Sequence, residues 1–216
     1  MRRRDLLLAT VGVLLAWQAA ALVIDRPVLP PPWDVLRAFV RALPRDLGIH
    51  TLVSAWRVVA SILLALVTAV PAGLGLGLSP TASRLAAPVI YLIYPIPKIV
   101  FLPVVLLLLG IGNLSKVFII ALILFFQVLV VVSDEAANIR PELVVSVRSL
   151  GAGRRRILRF VYLPACLPAV LTARRLSIGT AIAVLFFAES FATSSGLGYY
   201  IIVETWGRLA LSLIHI

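Results

Sequence analysis

The chain has 216 residues, of which 62% are apolar and only 13% are charged, and its mean hydropathy is +1.09. Soluble domains are about 45–50% apolar with about a quarter of their residues charged, so this composition excludes an ordinary soluble domain. The net charge of +11 does not indicate nucleic-acid binding, because the arginines lie between hydrophobic runs and do not line one polar face. A membrane protein with arginine-rich cytoplasmic loops explains both observations.

Residues 1–50 are predicted to form one membrane helix and an interfacial loop. The apolar run at residues 6–24 is long enough to cross a hydrocarbon core, which takes about 20 residues. A secretory signal peptide is the alternative, because arginines precede the run and residues 18–21 resemble a cleavage site. The run is longer than the roughly 7–15 residues of a signal peptide's apolar core, which favours an uncleaved span. Residues 33–43 follow as a short amphipathic piece with Trp33 at the headgroup level.

Four further spans are predicted downstream, at residues 52–78, 88–109, 117–132 and 171–187. The first of these ends in Gly73, Gly75 and Gly77, small residues that let membrane helices approach closely. Residues 79–87 are predicted as a tight turn. Pro95 and Pro97 interrupt the next span and should kink it or open its hydrogen-bond ladder. The fold class is therefore an all-α polytopic membrane protein.

The arginines predict a cytoplasmic N-terminus. With that orientation ten basic residues lie on the cytoplasmic side and six on the opposite side, and six of the ten lie between Arg140 and Arg159. Five spans would then leave the C-terminus outside. Residues 211–216 match the translation of a transposon-end adapter, so we expect a non-native tail and a native sixth span. A genuine short apolar tail is the alternative.

The basic segment at residues 133–162 predicts two helices joined by a glycine turn. Pro141 and Glu142 suit a first helical turn, and Leu143, Val147 and Leu150 share one apolar face. Gly151 supplies a left-handed helix stop.

A second helical run begins near Arg154, with Ile157, Phe160 and Val161 on one side, and Pro164 ends it or bends it into the next span. Such a pair of helices would offer an apolar ridge to a partner's groove. The alternative is a loop whose arginines only contact lipid headgroups.

Gly151, nine residues and then Val161-Tyr162-Leu163-Pro164 resemble the signature of binding-protein-dependent ABC importer permeases, which is Glu-Ala-Ala, three residues, Gly, nine residues, Ile-x-Leu-Pro. Flanking segments covering residues 50–207 resemble the nitrate, sulfonate and taurine branch of that family. They are Pro95-Ile96-Pro97-Lys98 with Leu102-Pro103, Gly110-Ile111-Gly112-Asn113-Leu114-Ser115-Lys116, Pro141-Glu142-Leu143, Arg148-Ser149-Leu150-Gly151-Ala152 and Ser195-Gly196-Leu197-Gly198-Tyr199. One departure stands out: Val145 occupies the position of the motif's Glu, which puts in doubt any salt bridge made by that acid.

The resemblance implies the type I ABC importer permease fold, with five of a probable six membrane helices present and residues 51–210 as the transmembrane domain. It also implies a homodimer that works with a cytoplasmic ATP-binding subunit and an extracytoplasmic solute-binding protein. The basic segment would be the coupling helix, seated in a cleft of the ATPase. The residues implied in coupling are Leu143, Val147, Leu150, Gly151, Ala152, Val161, Leu163 and Pro164.

No enzymatic activity and no cofactor are expected in this chain. It has no Gly-x-x-x-x-Gly-Lys-Ser/Thr loop, so ATP and Mg²⁺ would be bound by the partner ATPase. An ion-coupled transporter or channel is the alternative function, and it predicts carboxylates within the membrane. A membrane enzyme is the third class, but no convincing His/Asp/Glu cluster supports it. The solute is not predicted, because the separate binding protein usually sets specificity in such systems.

A charged side chain in an apolar span is expensive and indicates function. Lys98, together with Pro95 and Pro97, is a candidate for an anion translocation pathway; snorkelling to an interface or packing at a dimer seam is the alternative. Glu189 and Glu204 flank the last loop, where solvation is favoured over contact with the binding protein.

Overall fold

The computed structural model describes residues 3–24, 29–191 and 193–206, and every regular element within them is a helix. The chain divides into two compact units, Met1–His50 and Thr51–Ile216. The expected non-native tail at residues 211–216 lies outside the described residues.

The described residues of the first unit form the helices α1 (Arg3–Ile24) and α2 (Pro32–Ala42), and a π-helical turn, Leu43–Leu47, follows α2. Proline at the first position of α2 begins the helix without losing a backbone bond, since that N–H has no intrahelical partner. Trp17 Nε1 donates to the carbonyl of Pro30 at 3.2 Å, which ties α1 to the start of α2. The predicted first membrane helix and the short amphipathic helix are both present.

From Gly48 onward the described residues form eight further α-helices. They are α3 (Gly48–Leu78), α4 (Pro80–Ile93), α5 (Leu102–Leu109), α6 (Asn113–Ala137), α7 (Pro141–Ser149), α8 (Arg154–Ile157), α9 (Leu163–Ser190) and α10 (Leu197–Tyr199). A 3₁₀ turn, Lys98–Phe101, precedes α5, and π-helical turns cover Leu158–Tyr162 and Tyr200–Trp206.

Five membrane spans are possible among the described residues. Four helical runs are long and apolar enough to cross a bilayer: Arg4–Ile24, Pro32–Leu78, Asn113–Ala137 and Arg154–Ser190. The fifth is a broken span in which Pro80–Ile93 and Lys98–Leu109 meet at 76°. The break contains Pro95 and Pro97, so the predicted interruption of this span is confirmed.

Two predicted boundaries are wrong. Residues 79–87 do not form a tight turn: α4 begins at Pro80, and Ser79 Oγ accepts a hydrogen bond from the N–H of Ala82 at 3.3 Å. Serine at the N-cap followed by proline is a helix start, and that signal outweighs the polar composition.

The last span is also longer than residues 171–187. The helical run continues from Arg154 to Ser190, and Pro164 neither ends it nor separates it from the second helix of the basic segment. A proline ring clashes with the carbonyl four residues earlier in a regular α-helix. The wide turn Leu158–Tyr162 precedes Pro164 directly and allows the helix to continue.

Helix α6 is the centre of the second unit. Its fully buried side chains, among them Ile120, Leu124, Val128 and Val132, follow one face at four-residue spacing. Helix α9 packs against it with small residues at the same spacing: Ala173, Ser177 and Ala181 are all at most 1% exposed. Small residues let membrane helices approach closely where no hydrophobic effect drives association.

Helix α3 uses glycine for the same purpose. A Cβ at Gly73 would meet the side chain of Val132, and one at Gly77 would meet the backbone and Cβ of Ala136, whereas a Cβ at Gly75 would meet nothing within 4 Å. The predicted close approach is therefore confirmed for Gly73 and Gly77. It is wrong for Gly75, because that position lies on another face of the helix.

We predict opposite effects for two alanine substitutions in α3. Gly77→Ala should destabilise the protein by about 1–3 kcal/mol, because the α6 backbone at Ala136 cannot move aside cheaply. Gly75→Ala should leave stability unchanged or raise it by about 0.5–1 kcal/mol through helix propensity. Unfolding of the purified protein by SDS in detergent micelles measures both. Equal stability of the two variants would contradict this packing.

Candidate functional site

The predicted left-handed turn after α7 is present. Gly151 has φ +77°, a conformation that favours glycine, and its N–H donates to the carbonyl of Arg148 at 3.0 Å. A Cβ at Gly151 would meet nothing within 4 Å, so the backbone conformation alone requires glycine here. The turn ends at Gly153, and α8 starts at Arg154.

Helix α7 exposes the apolar side chains that the sequence assigned to a contact face. Leu143 is 51% exposed and Leu150 is 84% exposed, while Val147 is half-buried. None of its nine residues is buried within the unit. Val145, at the position of the family's acid, is exposed as well. A short helix with exposed leucines that no part of its own unit covers offers a surface for a partner.

The remaining coupling candidates divide between surface and interior. Leu163 and Pro164 are exposed and Ala152 is half-buried, but Val161 is buried. Ile157 and Val161 share a face at four-residue spacing and pack inward, whereas Phe160 is exposed. The predicted single face of Ile157, Phe160 and Val161 is therefore wrong, and Val161 supports the segment from within.

A groove of about 580 Å³ lies between the basic segment and the α3–α4 connection. Arg148 and Arg154 line it, and neither forms an ion pair with any residue that the structure describes. Its other lining residues are Leu78, Ser79, Pro80, Val144, Ala152, Gly153, Ile157 and Tyr162. The candidate surface thus combines exposed leucines with arginines that pair with no acidic side chain among the described residues.

Lys98 lies at the break between α4 and α5 and is only 8% exposed. Its Nζ donates to the carbonyls of Ile93 and Tyr94, both at 3.1 Å, and to that of Ile96 at 3.4 Å. The last carbonyls of a helix lack partners and carry partial negative charge, so the ammonium stabilises the end of α4. These contacts hold the Lys98 ammonium inside the unit, beside the break.

A cavity of about 420 Å³ adjoins Lys98. Its walls come from the break and from the facing middle parts of α6 and α9. Helices α6 and α9 contribute five lining residues. Ile123, Phe126 and Val184 are apolar or aromatic, and Gln127 and Thr180 are polar. The Lys98 ammonium lies 4.5 Å from the centre of the Phe126 ring. The break therefore opens a space halfway along the helices, beside a buried cation.

The opposite end of the unit holds a buried ion pair that the sequence reading missed. Arg57 of α3 and Glu189 of α9 are 2% and 0% exposed, and Arg57 Nη1 lies 2.5 Å from Glu189 Oε1. The prediction that Glu189 is solvated is wrong. A charged residue inside each of two apolar runs was the sequence signal for this site. The sequence did not show that the two residues pair with each other.

Hydrogen bonds extend this pair to five segments of the chain. Arg57 Nε donates to Asn113 Oδ1 at 2.8 Å, and its two Nη atoms donate to the carbonyl and Oγ of Ser195 at 2.8 and 2.9 Å. Ser54 Oγ donates to the Glu189 carboxylate at 2.8 Å and accepts from the N–H of Leu197, also at 2.8 Å. The network joins α3, α6, α9, the loop before α10, and α10 itself.

Glycine permits the loop to approach the carboxylate. Gly196 has φ +116°, and a Cβ there would collide with the carboxylate of Glu189. The N–H of Gly198 donates to Glu189 Oε2 at 3.1 Å. The Ser-Gly-Leu-Gly segment, noticed in the sequence as a family feature, is thus the part of the loop that closes over the buried acid.

Lys116 adds a second cation close to this network. It lies in α6, is 1% exposed and donates to the carbonyl of Gly112 at 3.2 Å. Helix α6 begins four residues earlier than predicted, which brings Lys116 into the packed interior.

Comparison with known proteins places this helical arrangement in a family. Residues 51–211 match the model of the binding-protein-dependent transport system inner membrane component. The chain is similar to the taurine transport system permease protein TauC of Escherichia coli (strain K12), with 32% identity over 93% of this chain and 76% of the relative. It is also similar to a putative ABC transporter permease protein of Methanocaldococcus jannaschii, with 32% identity over 86% and 72%. A third relative is the putative aliphatic sulfonates transport permease protein SsuC of E. coli K12, with 30% identity over 88% and 73%.

The chain belongs to the family of binding-protein-dependent transport system inner membrane components, the permeases of ABC importers. It is a multi-pass membrane protein of the type I importer permease fold. The resemblance seen in the sequence is therefore confirmed at the level of family and fold.

We predict that the two members of the buried ion pair are energetically coupled. Arg57→Met or Glu189→Met alone should cost about 3–5 kcal/mol of stability, because each leaves the other charge buried without its partner. The double variant should cost clearly less than the sum. SDS unfolding of the four proteins measures the coupling. Additive costs would contradict an interaction between these two side chains.

Proposed function

We propose that this chain is the transmembrane subunit of an ATP-driven importer, which moves a small anion such as a sulfonate, taurine or nitrate across the cytoplasmic membrane. The observation that carries the proposal is the exposed apolar face of α7 beside the Gly151 turn, within a chain of the permease family. The similarity to taurine and sulfonate permeases supports this class of solute.

Coupling to a separate ATPase runs through α7 and the turn that follows. Leu143 and Leu150 present the contact surface and Gly151 sets the direction of the chain, while buried Val161 ties the segment to the membrane helices. Val147, Ala152, Leu163 and Pro164 complete the proposed coupling set. ATP and Mg²⁺ are bound by the ATPase and not by this chain. The ATPase can shift the permease between its two states only by seating α7 more tightly in one of them.

The assembly consists of two permease copies, the cytoplasmic ATP-binding subunits and an extracytoplasmic solute-binding protein. Residues 51–210 act as the transmembrane domain, and residues 1–50 supply a further membrane helix and an interfacial segment. The arginine distribution supports a cytoplasmic N-terminus and a cytoplasmic α7. The Arg57–Glu189 network, at the other end of α3 and α9, then faces the extracytoplasmic side.

The solute path passes the broken span. Discontinuous membrane helices place charged helix ends and free polar groups near the middle of the bilayer, which is where transporters bind their solutes. Pro95 and Pro97 keep the break open, and Lys98 supplies a positive charge beside the cavity. An ion-coupled mechanism has less support, because the buried carboxylate of Glu189 is already occupied by Arg57, Ser54 and Gly198.

We predict that Leu150→Glu and Gly151→Pro abolish co-purification of the ATPase while membrane insertion is retained. The first places a charge on the apolar contact, and the second replaces a residue at φ +77° by one restricted to about −65°. Val145→Glu is the matched control, since it adds the same charge to α7 at the position where the family carries an acid. ATPase bound to Leu150→Glu at the wild-type level would contradict the coupling role.

We predict that Lys98→Ala lowers anion uptake much more than ATPase association. The substitution removes the charge beside the cavity and the hydrogen bonds that Lys98 donates to the carbonyls of Ile93, Tyr94 and Ile96. Lys98→Arg keeps the charge and should retain more uptake than Lys98→Ala. Uptake of radiolabelled taurine, ethanesulfonate and nitrate into proteoliposomes with the complete importer is the measurement. Unchanged uptake by Lys98→Ala would remove Lys98 from the pathway.

A further inference from the structure

We propose that Gln127 and Thr180 form an oxyanion subsite in the cavity beside the broken span, in which the Gln127 amide donates hydrogen bonds to the sulfonate group of the passing solute. This inference rests on the proposed function and names the solute contacts at that site. Both residues line the cavity, Gln127 from α6 and Thr180 from α9. Lys98 contributes its charge without contacting the solute directly.

The donor geometry of Lys98 leads to this division of roles. A lysine ammonium has three N–H donors, and three backbone carbonyls lie within 3.1–3.4 Å of Lys98 Nζ. A hydrogen bond from Lys98 to an anion would therefore replace one that it donates to the carbonyl of Ile93, Tyr94 or Ile96. The positive charge still attracts an anion into the cavity, because electrostatic attraction needs no free N–H and is strong in an apolar surrounding.

Gln127 has the free donors that Lys98 lacks. Its side chain is half-buried, and its amide makes no hydrogen bond to any residue in the described parts of the chain. An amide that lines a cavity and has no protein partner keeps its N–H donors available to a ligand or to water. The amide carries two N–H donors, which can bond two oxygens of one sulfonate.

Thr180 provides a weaker second contact from the facing helix. Its Oγ1 lies 3.4 Å from the carbonyl of Leu176, at the long limit of a hydrogen bond, so the hydroxyl can turn towards the cavity at little cost. The aromatic and apolar walls, which include Tyr94 and Phe126, suit the short hydrocarbon part of an alkyl sulfonate. The volume of about 420 Å³ falls in the range of small-molecule sites.

The site lies where solute must pass if the broken span lines the path. Phe126 and Gln127 are near the middle of the 25-residue helix α6, about 20 Å along its axis from Asn113. That position is far from both the α7 surface and the Arg57–Glu189 network. Substitutions at Gln127 should therefore affect solute movement without touching the groups that contact the ATPase.

The test is transport by the complete importer in proteoliposomes, with radiolabelled taurine and ethanesulfonate as probes. Gln127→Leu, which keeps the shape and removes the donors, should lower the number of solute molecules moved per ATP by at least tenfold. Gln127→Glu should abolish uptake, because it places a negative charge where the sulfonate would bind. Thr180→Val should reduce uptake about threefold. Thr172→Val is the matched control, since Thr172 is an exposed threonine on the same helix.

Co-purification of the ATPase and hydrolysis of ATP should stay at the wild-type level in all four variants, because a folding defect would lower hydrolysis and uptake together. Uptake per ATP at the wild-type value in both Gln127 variants would overturn the subsite and leave the proposed function standing. Failure of the wild-type importer to move either sulfonate would overturn the proposed solute class, and the subsite with it.

Discussion

The organisation of this permease depends on one constraint: a polar group inside a bilayer must find its partner within the protein. The constraint is hardest to meet at the break between α4 and α5, where Pro95 and Pro97 cannot donate backbone hydrogen bonds. Lys98 meets it by donating to the carbonyls of Ile93 and Tyr94 at the end of α4 and to that of Ile96 in the break. The break can therefore persist in the middle of the unit, and a cavity with a buried cation at its edge can exist there.

The same constraint explains the opposite end of the unit. Arg57 and Glu189 neutralise each other. Ser54 also donates a hydrogen bond to Glu189, and Arg57 donates to Asn113 and to the carbonyl of Ser195. The network holds α3, α6 and α9 together at this end of the unit. Because a buried ion pair is costly to break and adds little net stability compared with an apolar replacement, its value here is in fixing one arrangement of these helices.

Between the two ends, α3, α6 and α9 pack through small residues, with Gly73 and Gly77 against α6 and Ala173 and Ala181 on α9. Such close packing transmits movement well, since a densely packed interior has few voids to absorb it. Helix α7 is the contrasting part. It exposes Leu143, with Leu150 exposed directly after its end, and its arginine, Arg148, forms no ion pair with any residue that the structure describes. This surface is available to another subunit. Valine at position 145 makes that surface more apolar than the family signature implies.

The sequence by itself determined those features of the protein that depend on residues close together in the chain. The lengths of the apolar runs predicted the spans, and Pro95 and Pro97 predicted the break. Gly151 predicted a left-handed turn, which the structure confirms at φ +77°. Each of these features depends on residues close together in the chain, and so does the signature that identified the family. The predicted helix ends were less accurate. The composition around Ser79 and Pro80 resembles a turn, but these residues begin a helix.

Only the tertiary structure decided which polar groups meet. Arg57 and Glu189 are 132 residues apart, and no periodicity relates them. Lys98 could be recognised as unusual in an apolar span, but its partners are carbonyls, which every residue possesses and no sequence pattern distinguishes. The cavity beside Gln127 likewise arises from three segments that converge on one space. The sequence therefore determined the class and the course of the chain, whereas packing decided which charges are neutralised and which donors stay free.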